Sequence, residues 1–127
     1  MRNSELLPKT SDPLVVRTDF ENQRAWETIC DLIRQPVREA GQDFYAYVEF
    51  LDNSAFRDLT VQELLARVPS DDPRTFLFVV DKTTTQSPDS PILVIDLHRE
   101  RGRSFRAIPS QIQGIEMSRL ETQTLWE

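Results

Sequence analysis

The amino-acid sequence predicts an α/β fold: a mixed sheet of about five strands, in the order strand, helix, strand, helix, strand, strand, strand, with a parallel core and antiparallel hairpins at one side. Three observations predict it. Two stretches with helical apolar spacing, each opened by a Thr-x-x-Glu pattern at Thr18 and at Thr60, lie between runs rich in β-branched and aromatic residues. The run Thr75-Phe76-Leu77-Phe78-Val79-Val80 is apolar almost throughout, as suits a central strand covered on both faces. The nine residues from Thr83 to Pro91 are too few for a covered parallel crossover, so the strands on either side of them form a hairpin.

Residues 1–13, with Pro8, Pro13 and scattered hydroxyl residues, read as a flexible lead-in whose Leu6 and Leu7 can dock on the body, and residues 14–127 as one α/β domain. Leu14-Val15-Val16-Arg17-Thr18 is the first strand. Thr18 or Asp19 caps the first helix, whose buried stripe is Trp26, Ile29, Cys30, Ile33 and Val37, with Pro36 limiting its last turn. Phe44 to Leu51 alternates aromatic residues and forms a second strand. Thr60-Val61-Gln62-Glu63 caps a shorter helix carrying Leu64, Leu65 and Val68 before Pro69. After the central strand, Thr83 to Pro91 is an exposed loop leading to the strand Ile92 to Leu97. Arg99 to Arg103 turns the chain into a half-exposed edge strand, Phe105 to Ile108. From Ile112 on, neither period wins, although Trp126 is expected to pack on the body.

Composition narrows the function classes. A chain of 127 residues with 39% hydrophobic and 28% charged residues suffices for one packed domain. Its formal charge of −6 repels polyanions, so nucleic acid is not expected as a partner. The lone Cys30 cannot pair within the chain and points to a reducing, cytoplasmic setting. No apolar run is long enough to cross a bilayer, so no membrane partner is expected.

Two constellations are candidate sites. Asp19, Asp52 and Asp81 each follow a strand, and if those strands are parallel the three carboxylates share the edge where open α/β folds bind ligands, suited to Mg²⁺ or a polar compound. Aspartates also end strands simply by making turns and helix caps. Arg99, Arg101, Arg103 and Arg106 concentrate positive charge on the second hairpin, where they can clasp an acidic protein surface or a phosphate, or instead pair with neighbours such as Glu100 and keep an edge strand from aggregating. Of 15 basic residues all but Lys9 and Lys82 are arginine, the side chain that holds anions in a fork. His98 is the single histidine and reads as a surface residue, and Cys30 as a buried apolar one. With three glycines in all, phosphate-cradling glycine loops are absent, and no cofactor is called for.

The strings Leu14-Val15-Val16-Arg17-Thr18-Asp19-Phe20, Val48-Glu49-Phe50-Leu51-Asp52, Phe78-Val79-Val80-Asp81, Pro91 to Leu97 and Gly102-Arg103-Ser104-Phe105-Arg106 together resemble a family of small bacterial domains of unknown function. The resemblance spans nearly the whole ordered chain. It implies a bacterial source and carries over no catalytic residue. The expectation is a non-enzymatic module that binds a protein partner, regulatory or immunity-like; the alternative is a small enzyme or ligand-binding domain built on the three aspartates.

Overall fold

The computed structural model describes residues 5–10 and 12–117. Its main sheet has five strands: β1 (Leu14–Arg17), β4 (Glu49–Leu51), β5 (Phe76–Val80), β6 (Ile92–Asp96) and β7 (Ser104–Ala107), ordered β4-β1-β5-β6-β7. β1 pairs in parallel with both β4 and β5, whereas β5–β6 and β6–β7 are antiparallel. The α/β class, the parallel core and the hairpins on one side are therefore as expected, with β5 in the middle and buried at every residue.

Alternation along the strands sends side chains to two cores. On one face Val15, Phe76, Phe78, Val80 and Val94 pack under Trp26, Ile29, Cys30 and Ile33 of α1 (Gln23–Arg34). On the other, Leu14, Val16, Leu77, Val79 and Ile95 pack with Phe56 and with Leu64 of α2 (Val61–Ala66). Leu7 from the lead-in joins this second core at 2% exposure, and its N–H donates to the Arg67 carbonyl at 2.8 Å, while Leu6 stays exposed. Both faces of the sheet are thus covered, which is why β1 and β5 tolerate unbroken apolar runs.

Local chemistry sets the boundaries. The capping box at Thr60 forms as expected, with Thr60 Oγ1 accepting from Glu63 N and Glu63 Oε1 accepting from Thr60 N. The one at Thr18 does not. Thr18 N–H donates to the Val80 carbonyl and Thr18 C=O accepts from Asp58 N, so the chain stays extended and α1 starts later, capped by Asn22 on Ala25 N. At the other end Pro36 forces Gln35 into an extended conformation (ψ 138°), and Val37 becomes the first residue of β2 instead of the last of the helical stripe.

β2 (Val37–Glu39) and β3 (Gln42–Phe44) form a separate antiparallel hairpin around Ala40 and Gly41, both at positive φ. The expected single strand from Phe44 to Leu51 is accordingly split: Tyr45–Val48 lies between β3 and β4 and belongs to neither sheet. The polar stretch after β5 is likewise no plain loop, since Asp81 caps a short helix, α3 (Lys82–Gln86). After β6, the buried Asp96 carboxylate accepts from the N–H groups of His98, Arg99 and Glu100 and so folds the arginine turn. Gly102 closes that turn at φ +96°, with Leu65 Cδ1 only 3.2 Å from where a Cβ would stand. A last helix, α4 (Ile112–Met117), brings Ile112 and Ile115 to the first core; Leu120, Leu125 and Trp126 lie outside the described residues. No helix among those described is long and apolar enough to cross a membrane.

Candidate functional site

The parallel pairing of β4, β1 and β5 places Asp52, Asp19 and Asp81 at one carboxyl edge, as their positions after the strands require. α1 leaves β1 on one face and α2 leaves β4 on the other, so the ends of these adjacent strands flank the crevice where open sheets bind ligands. The chain's own Arg17 spans that crevice. Its side chain is 3% exposed; Nη1 donates to Asp52 Oδ1 at 3.2 Å and to Gln23 Oε1 at 2.9 Å, and Nε to the Asp19 carbonyl at 3.0 Å. The guanidinium lies 4.4 Å from the Phe20 ring centroid and 5.4 Å from that of Trp26, and Arg57 approaches Phe20 at 4.9 Å. A buried cation, its counter-ion and two aromatic rings thus fill the space.

Each aspartate has its own donors. Asp19 is buried; Oδ1 accepts from Glu21 N at 3.1 Å and Oδ2 from the Thr85 hydroxyl, tying the β1–α1 loop to α3. Asp52 is half exposed and holds Arg17. Asp81 accepts from Thr84 N and Oγ1 and takes both Arg106 nitrogens, each at 2.8 Å, in a bidentate pair. Among the described residues no three His, Cys, Asp or Glu side chains are grouped so as to hold a metal. The edge is shared, but its three carboxylates are spent on three separate internal contacts.

The arginines are divided by the sheet. Because β6 runs antiparallel to β5, the turn bearing Arg99, Arg101 and Arg103 lies at the amino-terminal end of the parallel strands, whereas β7 returns Arg106 to the carboxyl edge. Arg101 donates to the carbonyls of Leu97 and Leu65, pinning the turn to the end of α2, and Arg103 pairs with Glu100 at 3.2 Å. Arg106 bridges the two constellations that the sequence keeps apart.

Burial alone would raise the Asp81 pKa, but the Arg106 fork together with the Thr84 amide and hydroxyl outweighs it and holds the carboxyl below its ordinary 3.8. A depressed folded-state value stabilises the fold above the unfolded pKa, and that stability is lost as pH falls through the folded one. Arg106→Ala is therefore expected to cost about 1 kcal/mol at neutral pH. The difference from the parent should shrink as pH drops below 3.8. Urea titrations at neutral and acid pH check this; a pH-independent difference would remove the ion pair as its cause.

Sequence reasoning missed the side chains that face solvent. Tyr47 is 62% exposed and Tyr45 46%, although their alternation suggested a covered strand. Their neighbours Ala46, Val48 and Phe50 do turn inward against the first core. The Cys30 thiol is 4% exposed, and burial pushes its pKa up to about 11, which leaves it unreactive. His98 is exposed in the turn after β6.

Searches of curated proteins and of solved structures find no match. A family profile does match, over residues 12–125, and the extent agrees with the resemblance read from the strand strings. The chain belongs to that family, a domain of unknown function (DUF6924).

Proposed function

We propose that this chain is a non-enzymatic, cytoplasmic protein-binding module of bacterial source, regulatory or immunity-like in role. The observation that carries the reading is the pair of solvent-facing tyrosines, Tyr45 and Tyr47, at the rim of a sheet whose acidic edge is internally committed. Tyrosine is enriched at interfaces because a rigid ring offers contact area at small entropic cost while its hydroxyl finds a partner. A ligand at the aspartates would have to displace Arg17 or Arg106 from charge-assisted bonds, which weighs against the enzymatic alternative. Cytoplasmic placement is supported by the lone, buried Cys30, and bacterial source by the family resemblance.

Affinity capture from native lysate should retain a stoichiometric partner that Tyr45→Ser/Tyr47→Ser releases while Arg101→Ala/Arg103→Ala does not. Release by the arginine variant would move the interface to the hairpin turn, and capture of nothing by the parent chain would end the reading. Thermal melts should be unchanged by Mg²⁺; a rise abolished by Asp52→Asn or Asp81→Asn would restore the aspartate site.

A further inference from the structure

We infer that the free edge of β4, extended backwards through Tyr45–Val48, accepts a basic, extended segment of a partner protein as an added β-strand. This rests on the protein-binding reading and assigns its mode and the chemistry of the partner.

The two rims of the sheet differ. β7 closes one side and is guarded: Arg103 precedes it, Arg106 lies within it, and Pro109 follows. Charged and proline residues are the usual means by which a sheet resists pairing with a foreign strand. β4 closes the other side, and Tyr45-Ala46-Tyr47-Val48-Glu49-Phe50-Leu51 contains no proline and a single charged residue, the acidic Glu49. Among the described residues only Glu49–Leu51 is paired, and only with β1. Burial alternates along Phe44–Phe50 as in a strand, yet within the described residues Tyr45–Val48 takes part in no ladder. A strand-like segment with alternating side chains, whose main-chain groups have no backbone partner among the described residues, is suited to strand addition.

What lies on either side of this rim selects the occupant. Trp26 packs edge-on against Phe50 at 6.1 Å, and the Arg34 guanidinium covers the same ring at 4.5 Å, so this flank of α1 overlooks β4. Along that flank runs a groove of about 330 Å³ lined by Trp26, Glu27, Cys30, Asp31 and Arg34. Asp31 is paired with Arg34 at 3.4 Å, and Glu27 accepts from the neutral Gln23 amide at 2.8 Å, with no cation paired to it among the described residues. An added strand would direct alternate side chains toward this groove, where a lysine or arginine meets Glu27, and the others toward Tyr45, Tyr47 and the exposed Glu49. A second copy of this chain is a poor occupant, because each copy carries −6 and would bring its own Glu49 to the seam.

The test uses the full chain as bait for a phage-displayed library of random peptides. The expected winners alternate β-branched or aromatic residues with lysine or arginine. A synthetic winner should protect the amides of Tyr45–Leu51 from hydrogen exchange and lose binding when its alternate amides are N-methylated. Glu27→Lys/Glu49→Lys should weaken it by roughly tenfold or more. Peptides that enrich but protect another surface would overturn the edge and leave the protein-binding reading standing, whereas a library that yields no binder sinks both. Acidic winners on the edge would overturn the assigned partner chemistry. Amides of Tyr45–Val48 already protected in the free chain would show the rim covered by this protein itself and likewise overturn the inference.

Discussion

Phe78→Ala is expected to destabilise the protein by about 3–5 kcal/mol, a large part of what a domain of this size has in reserve. Phe78 is fully buried in the middle of β5, between β1 and β6, beneath the stripe of α1. Truncating it removes the transfer energy of the ring and leaves a cavity in the strand least able to relax, since strands on both sides hold its backbone. Urea denaturation should show a lower midpoint with unchanged slope. Tyr47→Ala, by contrast, should stay within about 0.5 kcal/mol of the parent. Comparable losses from the two substitutions would contradict the placement of β5 at the centre.

Asp72→Ala is the second, at about 3–5 kcal/mol. The Asp72 side chain is 1% exposed and grips the 5% exposed Arg74, taking Nε at 2.8 and 2.9 Å and also Nη2. Arg74 Nη2 in turn donates to the Pro8 carbonyl at 2.6 Å, which fastens the lead-in to the body, while Nη1 is buried with no hydrogen-bond partner among the described residues. Burial works against the Asp72 carboxylate, but the Arg74 bonds outweigh it and its pKa is lowered. Removing the aspartate strands a guanidinium that already has one unmet donor. Asp72→Ala/Arg74→Met should therefore be more stable than Asp72→Ala alone, because removing both charges spares the uncompensated one. A double variant that loses more than the single one would show that the contact to Pro8, and not charge burial, dominates. Acid should erode the parent's advantage as Asp72 protonates below its ordinary 3.8.

The sheet was legible because its information is local. The apolar run at Thr75–Val80 can be satisfied only between two layers, and the short link to Ile92 excludes a crossover. What escaped depends on contacts distant in sequence. Thr18 offers a helix cap, but its backbone is claimed by Val80 and Asp58, 62 and 40 positions away, and the cap passes to Asn22. Val37 fits the helical stripe of Trp26, yet one proline before it decides otherwise. Asp81 and Thr84 carried a reciprocal cap in plain view, hidden by the polar, proline-punctuated composition around α3. The carboxyl edge was placed correctly from strand ends alone, but its occupancy was not. That an arginine at the end of β1 would be buried, and would fill the crevice, follows only from the packing of α1 over it. Alternation at Tyr45–Val48 announces an extended backbone without saying whether a neighbour exists to meet it.

Stacking copies of one sheet end to end into a fibre needs two receptive rims per copy, one to give and one to take. Among the described residues, the arginines beside and within β7 leave the five-stranded sheet with one receptive rim, at β4, so growth by that route stops after one step. Crowding or overexpression should therefore yield at most a closed pair, and replacing Arg103 and Arg106 by small neutral residues is the change that would open the way to polymers.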